Sequence, residues 1–218
     1  SAGRAVEIDD ARADLAWSVR YRACDGRLVL TVSRAAARAQ APLVVSVPAG
    51  SYGISSAGSQ DLGLLRAPVI VLRAGETSTS ASAPVACASF DRTGPGNGED
   101  YELARFERGS PIDRLMVALC SGATAPEQAG QLAVWVVRNG LTRSQLAGEP
   151  FAMTFENHLF VSEANAPDAA DVIRRAGLDV GKLRFFDGLR LQRKEPATPP
   201  PAPRRAPAPR PEPGANLS

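Results

Sequence analysis

Apolar and polar positions alternate along much of the chain up to about residue 109, and apolar residues recur every three to four positions after it. Residues 14–21, with Leu15, Trp17, Val19 and Tyr21 on one parity, predict a half-buried strand, although the chain before them lacks a clear period. Residues 28–32 and 43–47 are β-branched runs, and the second stops at the turn signal Pro48-Ala49-Gly50. Residues 69–72 form another run closed by Arg73-Ala74-Gly75-Glu76, and residues 83–88 predict a strand that carries Cys87. Short strands punctuated by Gly and Pro turns predict a β-sandwich or barrel.

Ser110-Pro111-Ile112-Asp113 places a hydroxyl cap, a proline and a carboxylate in the order of a helix start, followed by Leu115, Met116 and Leu119 at helical spacing. A helix over about 111–120 is expected. Thr124-Ala125-Pro126-Glu127 has the form of a capping box and predicts a second helix over about 125–138, ending near Asn139-Gly140. Thr142-Arg143-Ser144-Gln145 repeats that signal for a short third helix, and residues 167–176 predict another, stopped by Gly177. The aromatic-rich residues 151–161 fit strand or irregular packing, and residues 183–186 a last strand or edge segment.

The expectation is thus a β-rich α+β protein: one globular domain over 1–192, a β-sandwich or barrel with a helical insertion, and a tail over 193–218. That tail is mostly Pro, Ala and Arg and cannot bury enough surface to order, so a disordered linker or spacer is expected. Its Pro-x-x-Pro spacing with Arg204, Arg205 and Arg210 is also compatible with an aromatic groove or an anionic polymer.

Hydrophobic residues are 44% and charged residues 22% of the 218, a balance that folds. Lys and Arg number 25 against 23 Asp and Glu, so the net charge of +2 implies neither a nucleic-acid partner nor a membrane surface. No apolar run approaches the roughly 20 residues of a transmembrane helix. The opening Ser1-Ala2-Gly3 suits a mature exported chain or a trimmed one.

Three cysteines, Cys24, Cys87 and Cys120, and one histidine, His158, offer no four ligands at usable spacing, so neither a metal site nor a cofactor is expected. In an exported protein an odd cysteine count leaves one disulfide and one thiol; Cys24 with Cys120 is the economical bridge, with Cys87 left over. Paired carboxylates at Asp9-Asp10 and Glu99-Asp100 lie in polar or Gly-rich stretches and read as solvated charge.

Gln131-Leu132-Ala133-Val134-Trp135 lies on the second expected helix, with Gln131 one turn from both Glu127 and Trp135. At these residues the chain resembles bacterial thioester domains, adhesion modules in which a strand Cys is joined to a helix Gln in a Gln-x-Ala-(Ile/Val)-Trp motif. Every defined position of the motif is matched, Cys87 precedes it in the expected order, and Val47-Pro48-Ala49-Gly50 and Ser59-Gln60-Asp61-Leu62 stand in similar places. The resemblance covers roughly residues 25–140. Two features depart from it: Cys87 lies between Ala86 and Ala88 rather than beside an aromatic residue, and Arg138-Asn139 replaces the usual Thr-Asp.

What the resemblance implies is a secreted or envelope-associated bacterial surface module, not an enzyme. In it Cys87 and Gln131 would form an internal thioester, supported by Trp135 and Ala133, that captures an amine on a protein partner or surface polymer. The alternative is a noncovalent structural or interaction module in which Cys87 is buried or disulfide-bonded and Trp135 is a core anchor. A third reading, a cysteine hydrolase, would need His158 as base to Cys87 with Asn157 or an Asp to orient it.

Overall fold

The computed structural model describes residues 4–7, 15–122, 126–148 and 161–191. Six strands close into an antiparallel barrel: β2 (Ala16–Arg22), β3 (Arg27–Ser33), β8 (Ser78–Cys87), β6 (Leu62–Leu64), β5 (Ser51–Ser55) and β9 (Asp100–Arg105), with β9 returning to β2. A smaller sheet joins β1 (Arg4–Glu7), parallel to β4 (Leu43–Ser46), with β7 (Val69–Leu72) antiparallel on the other side. Of the two β architectures expected, the barrel forms. Closure leaves none of its strands with a free edge along the ring, which removes a template for unwanted pairing.

Alternation sets the barrel lining. In β3 the burial pattern is strictly two-fold, and Leu28, Leu30 and Val32 face inward opposite Tyr21, Val19 and Trp17 of β2. Leu62 and Leu64 of β6 and Tyr101 and Leu103 of β9 complete this interior. Glycines let neighbours come close: a Cβ on Gly53 would stand 2.9 Å from the Tyr101 ring, and one on Gly63 would stand 2.8 Å from Met116 Cε.

The helices are α1 (Pro111–Cys120), α2 (Glu127–Asn139), α3 (Arg143–Gly148) and α4 (Ala166–Arg175). Ser110 caps α1, its Oγ accepting the Asp113 N–H at 3.3 Å, as the hydroxyl-proline-carboxylate order predicted. Helix α2 runs from Glu127 to Asn139 and ends at Gly140 in the left-handed conformation. Pro126 occupies its N-cap, and the expected hydroxyl cap at Thr124 lies outside the described residues. Thr142 and Gln145 form the expected reciprocal box at α3, with the Thr142 N–H donating to Gln145 Oε1 at 2.9 Å. Eight consecutive residues of α2, Ala129 to Val136, are buried. A helix buried on every side belongs in a core, and α2 packs against β8, α1 and α4.

Four expectations change. All the described α-helices follow β9, so they append to the barrel rather than interrupt it. Residues 183–186 are not a strand: two short 3₁₀ turns, Val180–Lys182 and Arg184–Phe186, drop Phe185 and Phe186 into the core beside each other. Asp179 initiates them by accepting the Gly181 N–H at 3.0 Å, a local bond that competes with strand pairing. Strands β1, β5 and β6 appear where alternation is masked by Gly, Ser or brevity, and β9 appears where Tyr101 and Leu103 alternate with Asp100 and Glu102. Cys24, Cys87 and Cys120 are all free thiols, so the expected Cys24–Cys120 bridge does not form; Cys24 is exposed, and Cys120 donates to the Leu64 carbonyl at 3.2 Å.

Candidate functional site

Strand β8 runs further than β3. The β3 ladder ends at Arg27 opposite Pro84, while β6 continues to accompany β8 up to the Leu62–Cys87 pair. On the flank that β3 vacates, the backbone of Cys87 needs another partner, because an unmatched buried amide or carbonyl costs about 1–3 kcal/mol. Gln131 of α2 supplies it. The Cys87 N–H donates to Gln131 Oε1 at 2.8 Å, and Gln131 Nε2 donates to the Cys87 carbonyl at 2.7 Å. The carboxamide therefore pairs with the end of β8 as a neighbouring strand would.

The contact is buried: Cys87 is 0% exposed and Gln131 3%. Small neighbours permit it. Ala86 and Ala88 are buried on either side of Cys87, so the helix approaches the strand where bulkier flanks would hold it away. Ala133 and Trp135, the expected supporting residues, are both buried on the same helix, and the Trp135 ring meets Phe90 edge-on at 5.2 Å between centroids. Burial pushes the Cys87 thiol well above the ordinary range, so in this closed state it is protonated and a poor nucleophile toward solvent reagents.

A second, charged contact lies beside the first. The Asp61 carbonyl accepts the Ala88 N–H at 2.7 Å, which places its side chain next to the Cys87 turn. Asp61 Oδ2 accepts from Arg138 Nη2 at 2.8 Å and from Ser89 Oγ at 3.3 Å, and Arg92 Nη1 stands 3.6 Å from Oδ1. The Arg138 guanidinium also lies 5.4 Å and 5.2 Å from the ring centroids of Tyr52 and Phe106, which stack on one another. Of the residues that depart from the thioester-domain pattern, Arg138 thus anchors α2 to the barrel. Around this pair, Asp61 Oδ1, Gln60 Oε1, Trp135 Nε1 and Arg138 Nη1 are buried without a hydrogen-bond partner among the described residues.

Glu99 proves structural rather than solvated. Its carboxylate accepts from Ser55, Ser59 and the Gly96 N–H; burial opposes its ionisation, yet these bonds hold its pKa below the ordinary carboxylate value. Tyr101, which donates to the Gln60 carbonyl at 3.2 Å, has its phenol raised chiefly by burial. Asp100 pairs with Arg20 at the surface.

Sequence reasoning named Cys87, Gln131, Trp135 and Ala133, and the fold gathers all four into one region. Gln60, Asp61 and Ser89 were visible in the sequence without a role, and Arg92 was not singled out; no local signal marks a carboxylate whose partner is 77 residues away. The hydrolase candidates His158 and Asn157, and the tail with its Pro-x-x-Pro spacing, lie outside the described residues. Among the described residues no cluster of His, Cys, Asp and Glu could hold a metal ion, and no helix is long and apolar enough to cross a membrane. No family model, curated protein or solved structure matches the chain.

Proposed function

We propose that the chain is an adhesion or assembly module, secreted or carried on a bacterial cell envelope, that captures an amine on a partner through a thioester between Cys87 and Gln131. The supporting observation is the buried, direct contact of the Gln131 carboxamide with the Cys87 backbone, two residues 44 positions apart in sequence. A strand Cys against a helix Gln is the arrangement that the Gln-x-Ala-Val-Trp resemblance implies. The condensation is balanced: the Cys87 thiol adds to the Gln131 carboxamide carbon, the C–N bond breaks, and ammonia leaves with the thiol proton. Attack by a primary amine on that carbon then forms an amide to the partner and returns the thiol. Hydrolysis is the competing fate, so burial protects the bond until a partner engages.

A second reading rests on a different observation. Both polar ends of the Gln131 side chain are matched to the Cys87 backbone, and a clamp of this kind holds a β-rich binding module together with no covalent step. Intact mass of the native protein separates the two. A mass short by one ammonia, restored to amine-adduct mass by methylamine and absent in Cys87→Ala, supports the thioester. Full mass together with a titratable Cys87 eliminates it and leaves the noncovalent clamp.

A further inference from the structure

The Cys87–Gln131 pair is sealed, so any partner must first open a path to it. We infer that residues 88–98 form a lid over this site, latched by Asp61, and that release of the latch admits the amine; the inference deepens the capture reading and rests on it. Two residues, Asp61 and Gln60, hold several points of the lid's inner half. The Asp61 carbonyl accepts the Ala88 N–H, its carboxylate accepts the Ser89 hydroxyl and forms an ion pair with Arg92 at 3.6 Å, while Gln60 donates Nε2 to the Arg92 carbonyl at 2.7 Å and its N–H to the Thr93 carbonyl at 2.9 Å. Phe90 meanwhile covers Trp135.

The far end is pinned independently. Gly98, at φ 79°, donates its N–H to the Tyr21 carbonyl at 2.8 Å, and Asn97 Oδ1 accepts the Ala23 N–H at 3.0 Å. Between the two anchors lie Gly94 and Pro95, both half-buried, and exposed Gly96, whose N–H is held by Glu99; the two glycines supply the backbone freedom for a hinge. Closure also has a cost. It seals the unpartnered atoms of Asp61, Gln60, Trp135 and Arg138, and each regains hydrogen bonds to water, or to a partner's polar groups, once the lid lifts. The lid is therefore bound by contacts that an incoming surface can outcompete, whereas the Cys87–Gln131 pair beneath has no such deficit.

The test uses the full chain with Cys24→Ser and Cys120→Ser, leaving Cys87 as the single thiol, and reads modification by intact mass. Where the thioester is present, methylamine incorporation is timed; where the thiol is free, iodoacetamide labelling is timed, so absence of the bond overturns the capture reading without touching the lid. Asp61→Asn should accelerate modification at least tenfold. Arg92→Ala, which removes a half-exposed side chain and spares the fold, should accelerate it a few-fold. A rate for Arg92→Ala equal to that of the parent, or acceleration that appears only in proportion to urea-induced global unfolding, overturns the lid.

Discussion

Helix α2 is tied to the barrel twice, by Gln131 to Cys87 and, two helical turns later, by Arg138 to Asp61. The first tie is neutral, fully buried, and leaves no polar atom of the carboxamide unmatched. The second is charged, less buried, with Arg138 at 23% side-chain exposure, and it is surrounded by polar atoms lacking partners. A neutral contact with every group satisfied fixes geometry at small cost, whereas a buried ion pair recovers its desolvation only when all its donors and acceptors are met. One end of the helix contact is therefore rigid, and the other is where the structure can yield.

Removing the neutral tie should have the largest effect. Gln131→Leu strands both the N–H and the carbonyl of Cys87, and the expected loss is roughly 3 kcal/mol by urea denaturation. Asp61→Ala leaves Arg138 unpaired and should cost about 2 kcal/mol, below the value for a fully buried charge because Arg138 reaches solvent. Combining Asp61→Leu with Arg138→Met should recover most of that loss; if the pair variant is as unstable as Asp61→Ala, the charged tie matters for more than charge.

Cys87→Ala should cost only about 1 kcal/mol in the noncovalent state, since it deletes one buried sulfur and leaves the backbone bonds intact. An effect as large as that of Gln131→Leu would mean instead that the two side chains are bonded. The pH dependence sharpens the same contrast. A free Cys87 is protonated in the fold at pH values where the unfolded thiol, near 8.5, already ionises. Stability from this group is complete below that value and should fall above it by up to about 1.4 kcal/mol per pH unit. Cys87→Ala should lose that component, and a thioester-bonded Cys87 should never show it. The smallest effect belongs to the surface pair Arg20–Asp100, whose side chains are 65% and 60% exposed; Asp100→Asn should change stability by less than about 0.5 kcal/mol.

Much of this was legible where one segment carries its own signal. Ser110-Pro111 announced α1, Thr142 with Gln145 announced α3, and the β-branched run of residues 28–32 announced β3. Strand β6 was not legible, because Leu-Gly-Leu is too short to show a period, nor was β5, whose Ser and Gly dilute it. Residues 183–186 misled because Leu, Phe and Phe suit a strand as well as a buried turn, and only packing chooses. The pairing of Cys87 with Gln131 was reached through the motif resemblance. That the contact runs through the Cys87 backbone was not, because it depends on where β3 stops.

Local signals in the chain were enough for the β-then-α order, the caps that start α1 and α3, and a helix carrying Gln131 and Trp135, since each follows from spacing and short-range bonds. Only the tertiary structure decided that the strands close into a barrel and that Gln131 fills the flank left by β3. It alone set Asp61 beneath Ala88 and Ser89 to face Arg138. Those outcomes depend on which distant groups remain unmatched after local structure has formed, and burial makes every unmatched group costly enough to select its partner.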